Sequence, residues 1–179
     1  MRFPLVTERL SISPLQLADL DSFVSYRQDP QVARYQSWEA SYSIEQGREL
    51  IDSQAGMDFP GVGQWLQLGV RESQSERLVG DLALHTLENA GEFEIGYTFA
   101  TADQGKGYAY ESATRLIRFL FEEASATKVI ATPDSRNAKS ITLLLKLGFV
   151  QDPSKSWVEE FKGETVTVEF FELQRPKTD

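Results

Sequence analysis

A glycine-rich turn, QGKGYA at residues 104–109, stands between a strand pattern and a helix pattern. The first N–H groups of a helix have no partner within the helix, and the peptide dipoles favour negative charge at that end. Gly105 and Gly107 carry no side chain that would keep an anion away from the main chain. The turn is therefore typical of a phosphate site, although a glycine-rich turn without a ligand fits the same residues.

Two common phosphate-binding motifs do not fit this turn. A P-loop needs Gly-Lys followed by Ser or Thr, whereas Lys106 is followed by Gly107. A dinucleotide fingerprint needs a small residue at its third glycine position, where this chain has Tyr110. A third kind of phosphate ligand has to be considered.

The segments on both sides of the turn have clear periodicities. EFEIGYTFA alternates, with Phe93, Ile95 and Tyr97 on one face and Glu92 and Glu94 on the other, which predicts a strand. Residues 107–125 repeat apolar positions at helical spacing and predict a long helix. The turn is therefore expected to connect a strand to the start of a helix.

The rest of the chain predicts a mixed fold with short connections. The spacing of apolar residues predicts a first strand in TERLSISPL and helices over 17–29 and about 44–55. It also predicts strands in QWLQLGVRE and RLVGDLALHTLE. The segment KVIATPD is expected to run parallel to the strand before the turn, because a helix connects the two. A helix in SITLLLKL, strands in FVQD and VTVEFFELQ, a linking WVEEFKGE and a frayed polar tail QRPKTD complete the prediction.

Composition excludes several classes of protein. The length of 179 residues suits a single domain spanning 1–179. A net charge of −9 argues against a nucleic-acid binder and suits a cationic substrate, or serves solubility alone. With no cysteine and one histidine, His85, no metal site is expected. No apolar run suggests a membrane span or a signal peptide, so a cytoplasmic location is expected.

Three segments together resemble one family. Gln104-x-x-Gly107-x-Ala109 resembles the Q/R-x-x-G-x-G/A signature of the GNAT (GCN5-related N-acetyltransferase) superfamily. TERLSISPL, EIGYTFATADQGKGYAYES and NAKSITLLLKLGF are similar, in order and spacing, to its branch of ribosomal-protein alanine N-acetyltransferases. The resemblance implies an α+β (α/β) GNAT fold, in which about four helices flank a mixed, mostly antiparallel sheet of about seven strands. It also implies that the sheet is splayed between strands 4 and 5.

The resemblance implies acetyl-CoA as cosubstrate. Its pantetheine arm would pair with the backbone of Phe99, Ala100 and Thr101, where a parted strand leaves hydrogen-bonding groups free. Asn137 would contact the pantetheine, although a helix cap is an alternative role for this residue. The pyrophosphate would bind the turn, with Lys106 adding charge; the residues concerned are Gln104, Gly105, Lys106, Gly107, Tyr108 and Ala109.

Direct attack of an amine on a thioester needs a base, an oxyanion donor and a proton for the thiolate. Glu94 is the first candidate base and Glu92 the second, although both could simply lie on a solvated strand face. The resemblance implies that Ser140 lies near the sulfur and can protonate the departing thiolate, although a capping or surface hydroxyl fits the same residue. The tyrosine that many relatives carry after L-G-F is missing here, which favours Ser140 or water as the acid. An aromatic acceptor pocket is expected from Tyr35, Trp38 and Trp65, and no role is expected for His85.

The predicted function is transfer of an acetyl group from acetyl-CoA to a primary amine, either a protein N-terminus or a small molecule. The alternative is a catalytically weak acyl-CoA sensor or interaction module with the same fold, which would need the turn but no base. The sequence is compatible with a monomer or a homodimer, and it does not identify the acceptor.

Overall fold

The computed structural model describes residues 3–176, so the last three residues of the polar tail, predicted to be frayed, lie outside it. Helices α1 to α5 span Leu20–Arg27, Pro30–Ala33, Ile44–Ser53, Tyr108–Glu122 and Ala138–Lys146. Strands β1 to β10 span Leu5–Val6, Leu10–Pro14, Trp65–Glu72, Leu78–Thr86, Glu92–Phe99, Lys128–Ala131, Val150–Gln151, Trp157–Phe161, Glu164–Val168 and Phe171–Gln174.

The main sheet has eight strands in the order β1-β2-β3-β4-β5-β6-β10-β7. Every neighbouring pair is antiparallel except β5 and β6, which run parallel because α4 connects them. The mixed, mostly antiparallel sheet predicted from the sequence is confirmed. The short strand β1 and the one-turn helix α2 account for the difference from about seven strands and four helices.

The two faces of the sheet carry different layers. On one face, side chains such as Leu66, Leu82 and Leu84 pack with Leu116 and Phe119 of α4. On the other face, α1 and α3 form a smaller cluster, which includes Phe23, Val24 and Ile51. This second face is only partly covered, and the uncovered part holds the cavity described below.

The sheet opens between β5 and β6, which are strands 4 and 5 of the sequence prediction, as the family resemblance implies. The two strands pair only at Glu92↔Lys128, Phe93↔Val129 and Glu94↔Ile130. Strand β6 then ends at Ala131, whereas β5 continues to Phe99. A gap therefore lies beside the second half of β5, directly before the glycine-rich turn.

After α5, the strand predicted in FVQD is present as β7, but the prediction for the residues that follow it was wrong. VTVEFFELQ forms two strands, and WVEEF, predicted as a linker, is β8, which pairs with β9 as a separate two-stranded sheet. Lys162 and Gly163 form its turn with φ values of 51° and 79°. Such turns are usually signalled by Asn-Gly or Asp-Gly, so Lys-Gly gave little warning. The chain leaves the hairpin where the Glu169 N–H donates to Pro133 O at 2.9 Å.

Within residues 3–176, no helix is long and apolar enough to cross a membrane.

Candidate active site

The glycine-rich turn presents bare main-chain donors. Helix α4 begins at Tyr108, after Gly107 with φ +85°, and Gly105 has φ +77°. Both values lie in the left-handed region that favours glycine. In the described part of the chain, no protein acceptor receives the N–H groups of Gly105 through Ala109. The turn therefore has the donors that an oxyanion group needs.

Side chains hold the turn in place from behind. The Arg9 guanidinium donates to Lys106 O at 3.0 Å and to Glu111 Oε2 at 2.7 Å. Arg77 donates to both oxygens of the buried Asp103 carboxylate, at 2.7 and 2.9 Å. These hydrogen bonds lower the pKa of Asp103, so the pair stays ionised. The donors are thus arranged before any ligand binds.

The lysine within the turn is already paired. Lys106 Nζ lies 2.7 Å from Asp103 Oδ1, so its charge is met inside the protein. Lys139, on α5, donates to Gln104 Oε1 at 3.1 Å, and no carboxylate within residues 3–176 forms an ion pair with it. Lys139, unlike Lys106, therefore carries a charge that no carboxylate of the described residues pairs with. The sequence interpretation missed it because the contact joins two elements distant in sequence.

At the end of β5, three backbone carbonyl oxygens already accept a hydrogen bond from the protein. Gln104 Nε2 donates to Phe99 O at 3.1 Å, the Asp103 N–H donates to Ala100 O at 2.8 Å, and the Gln104 N–H donates to Thr101 O at 3.3 Å. A carbonyl oxygen has two lone pairs, so each can accept a second hydrogen bond. The predicted pantetheine contacts are compatible with this geometry.

Helix α5 brings Asn137 and Ser140 to the opening. The Asn137 side chain accepts the Ser140 N–H at 3.2 Å and caps the helix, and it also lines the cavity. Ser140 Oγ lies 2.8 Å from the hydroxyl of Tyr97, which also donates to Ser140 O at 3.1 Å. Burial raises the pKa of Tyr97 to about 12, so its hydroxyl keeps its proton. The sequence pattern alone assigns Tyr97 only to one face of a strand.

Replacing Asn137 tests its two roles separately. Asn137→Ala is expected to lower the free energy of unfolding by about 1 kcal/mol, because the cap is lost. Asn137→Ser keeps a capping oxygen, so its stability should stay near that of the parent, while CoA binding weakens. Thermal unfolding and calorimetric CoA titration of both variants measure these effects. Parent-like CoA affinity in Asn137→Ser would remove Asn137 from the cofactor site.

A cavity of about 660 Å³ lies on the face of the sheet opposite α4 and reaches the opening. Strand register aligns side chains at one end of the cavity: Trp65, His85 and Glu94 stand opposite one another on β3, β4 and β5, and Trp65 and Glu94 belong to the cavity lining. Asp81 and Thr98 form another aligned pair, about 13 Å further along the strands. The row between these two holds Gln67, Ala83 and Gly96.

Glu94 stands where the floor of the cavity meets the opening. Its Oε1 accepts the Thr132 hydroxyl at 2.7 Å, and its Oε2 lies 3.4 Å from His85 Nδ1. The side chain is 18% exposed, so it is accessible from the cavity without being fully solvated. A carboxylate in this position can accept a proton from a group that lies in the cavity.

Glu92 has a different environment. Lys128 Nζ lies 2.8 Å from Glu92 Oε1, and this hydrogen bond lowers the pKa of the carboxyl group. Glu92 is also absent from the cavity lining. Of the two candidate bases, only Glu94 has a geometry that serves proton transfer from the cavity.

The three aromatic residues predicted for the pocket all line the cavity. The Tyr35 hydroxyl donates to Arg136 O at 3.2 Å, and Trp38 Nε1 donates to Arg27 O at 3.2 Å. Trp65 stacks on the His85 ring, with centroids 4.4 Å apart. These contacts fix large flat surfaces around the space that a substrate would enter.

A second carboxylate lies at the far end of the cavity. Asp81 is buried, accepts Tyr26 Oη at 2.5 Å and Gln67 Nε2 at 3.0 Å, and lies 3.6 Å from Arg27 Nη2. Burial raises the pKa of Asp81. The oxygens of Asp81 are therefore already hydrogen-bonded by protein side chains.

Known proteins are similar to this chain in sequence and in architecture. A family model described as "Acetyltransferase (GNAT) domain" matches residues 9–150. The N-acetyltransferase p20 of Bacillus licheniformis is 28% identical over 170 residues, which is 94% of each chain.

Solved structures share the fold at lower identity. An acetyltransferase (GNAT family) from Bacillus anthracis has a TM-score of 0.84 at 21% identity, over 96% of this chain and 98% of its own. A spermidine N-acetyltransferase from Vibrio cholerae, solved with CoA and spermine, has a TM-score of 0.79 at 21% identity, over 94% and 97% of the two chains. Matched by the family model over most of its length, the chain belongs to the GNAT acetyltransferase family, whose named relatives are N-acetyltransferases.

Proposed function

We propose that this protein transfers the acetyl group of acetyl-CoA to a primary amine by direct attack. The observation that carries the proposal is the run of main-chain N–H groups from Gly105 to Ala109 without a protein acceptor within residues 3–176, next to the opening beside β5. A diphosphate at the turn would direct a thioester arm into the opening. Glu94 and the aromatic cavity then face that arm from the other side of the sheet.

The cavity suits a cationic acceptor. Glu94 lies at its near end, and the charge of Arg27 at the far end is matched by Asp81. Aromatic rings, which attract cations, line the cavity at Tyr35, Trp38 and Trp65; the Arg27 guanidinium already lies 3.6 Å from the centroid of Trp38, and Trp65 stacks on His85. The net charge of −9 would also draw a cation towards the protein. Because the V. cholerae protein with this fold acts on spermidine, polyamines belong with peptide N-termini among the first acceptors to test.

The chemistry needs three proton transfers. Glu94 would take one proton from the ammonium, leaving a neutral amine that attacks the thioester carbonyl. The nitrogen of the tetrahedral intermediate would then lose a second proton to solvent. As the intermediate collapses, the carbon–sulfur bond breaks and the thiolate would take a proton from Ser140 Oγ, the hydroxyl at the opening, which regains one from solvent. Tyr97, 2.8 Å from Ser140 Oγ, would hold the serine by a hydrogen bond.

Ser140→Ala is expected to lower kcat about tenfold, because the departing thiolate would then have to take its proton from water. The KM for acetyl-CoA should stay within about twofold, since the pyrophosphate contacts remain. Steady-state kinetics with one acceptor measures both. Tyr97→Phe keeps the ring and loses the hydroxyl, so it should show a smaller loss of the same kind. A kcat equal to that of the parent in Ser140→Ala would remove the serine from the mechanism.

A thiol-release assay over a panel of amines, run beside calorimetric titration with CoA, tests the proposed function. The panel should contain spermidine, spermine, short peptides with free N-termini and simple monoamines. We expect CoA to bind and at least one amine to be acetylated at the nitrogen, as seen by mass spectrometry. CoA binding without turnover on any amine would favour an acyl-CoA sensor instead.

A further inference from the structure

We propose that His85, the only histidine of the chain, positions Glu94 and carries the proton that Glu94 removes from the acceptor out to solvent. This proposal rests on the proposed acetyl transfer and goes beyond it, because direct attack requires only the carboxylate. His85 is a positioning and relay residue in this account, and Glu94 remains the group that contacts the substrate.

Strand register creates the contact. His85 on β4 stands opposite Glu94 on β5 and opposite Trp65 on β3. Directly opposed residues of antiparallel strands point to the same face, so the three side chains form a row. The row continues to Thr132, which follows β6 and donates to Glu94. Glu94 thus lies between a hydroxyl on the side of the opening and an imidazole on the side away from it.

Each oxygen of Glu94 has a separate partner. Thr132 Oγ1 is 2.7 Å from Oε1, and His85 Nδ1 is 3.4 Å from Oε2. The stacked Trp65 ring, inclined at 14° to the imidazole, holds the histidine in its plane. This arrangement gives a carboxylate with a fixed direction for proton transfer.

Other charged groups near the row are already neutralised or turned to solvent. Glu92, the next acidic residue on this face of β5, is paired with Lys128 at 2.8 Å. Glu88, in the turn between β4 and β5, is exposed. Trp65, the residue that faces His85 from β3, carries no charge. The carboxylate that faces His85 within hydrogen-bonding distance is therefore Glu94.

The reaction releases one proton, which the relay would carry to solvent. An ammonium and a thioester yield an amide, a thiol and one proton that has to leave the protein. Glu94 would bind this proton first, and its Oε2–H would pass it to His85 Nδ1. The imidazolium would then release the proton from Nε2 to water, since His85 is 18% exposed. This leaves the ring proton on Nδ1, so the imidazole regains its starting tautomer by exchanging protons with water before the next turnover.

His85→Gln tests the relay, because glutamine keeps a polar side chain but has no base to accept a proton. We expect kcat to fall about tenfold while both KM values stay within about twofold. Added imidazole should restore part of the lost rate in the variant and leave the parent unchanged. Glu88→Gln, an exposed substitution on the neighbouring turn, is the matched control and should behave like the parent.

A second measurement does not depend on activity. The chain has one histidine, so the proton NMR spectrum contains one imidazole Cε1–H signal, and this signal should move in Glu94→Gln and remain in place in Glu88→Gln. An unmoved signal in Glu94→Gln, or a kcat in His85→Gln within twofold of the parent, would overturn the relay alone. A parent protein that acetylates no amine would instead overturn the proposed function, and the relay with it.

Discussion

Glu94→Gln is expected to lower kcat about 100-fold at neutral pH, the loss that follows removal of a general base. Glutamine has nearly the same shape and can still accept the Thr132 hydroxyl, but it cannot bind the proton of an ammonium. The loss should be greatest at low pH, where solution contains least neutral amine, and should shrink as the pH rises towards the pKa of the acceptor. A pH series of kcat/KM for parent and variant measures this.

The matched control is Glu92→Gln, two residues away on the same strand face. Glu92 is held by Lys128 at 2.8 Å and lies outside the cavity lining, so its replacement should change kcat less than about threefold. Equal losses in the two variants would indicate a general effect on β5 rather than a base. A pH profile of Glu94→Gln that coincides with the parent would exclude Glu94 from the mechanism.

Gly107→Val is expected to weaken CoA binding by up to about 30-fold. Gly107 has φ +85°, a left-handed conformation that β-branched residues rarely adopt, whereas a Cβ built there would meet only Arg9 Nη2, at 3.4 Å, so the strain lies in the backbone. A left-handed conformation costs a residue with a side chain about 1–2 kcal/mol, which shifts the balance towards a rearranged turn. The N–H groups of Gly105 to Ala109 would then no longer converge. Calorimetric titration with CoA measures the change.

The loss of affinity has to be separated from a loss of stability. Gly56→Val provides the control, because Gly56 also has a positive φ, +76°, and lies after α3, outside the turn; a Cβ added to it would meet no atom within 4 Å. The substitution should destabilise the fold by a similar amount while leaving CoA affinity unchanged. Full CoA affinity in a folded Gly107→Val protein would contradict the proposed binding site.

Local patterns account for most of what the sequence predicted correctly. The alternation in EFEIGYTFA places Glu94 on the face opposite Phe93, and the glycines mark the start of α4, because both features depend on neighbours in the chain. The opening beside β5 came from the family resemblance. It depends on where β6 ends at Ala131, which the residues of β5 do not encode.

Contacts between distant segments account for most of what was missed. The pairing of Tyr97 with Ser140 and that of Lys139 with Gln104 each join separate elements, and no periodicity in the chain reveals them. The contact between His85 and Glu94 is different. Both residues stand at similar distances from the turn at residues 87–91, so hairpin register could have indicated the pair.

The central claim concerns main-chain amides binding a diphosphate, and backbone NMR tests it most directly. Amide signals of Gly105 and Gly107 are followed while the labelled protein is titrated with CoA, and separately with pantetheine, which lacks the diphosphate. We expect CoA to shift both glycine amides strongly and pantetheine to leave them nearly unchanged. CoA that binds without moving either signal would contradict the account.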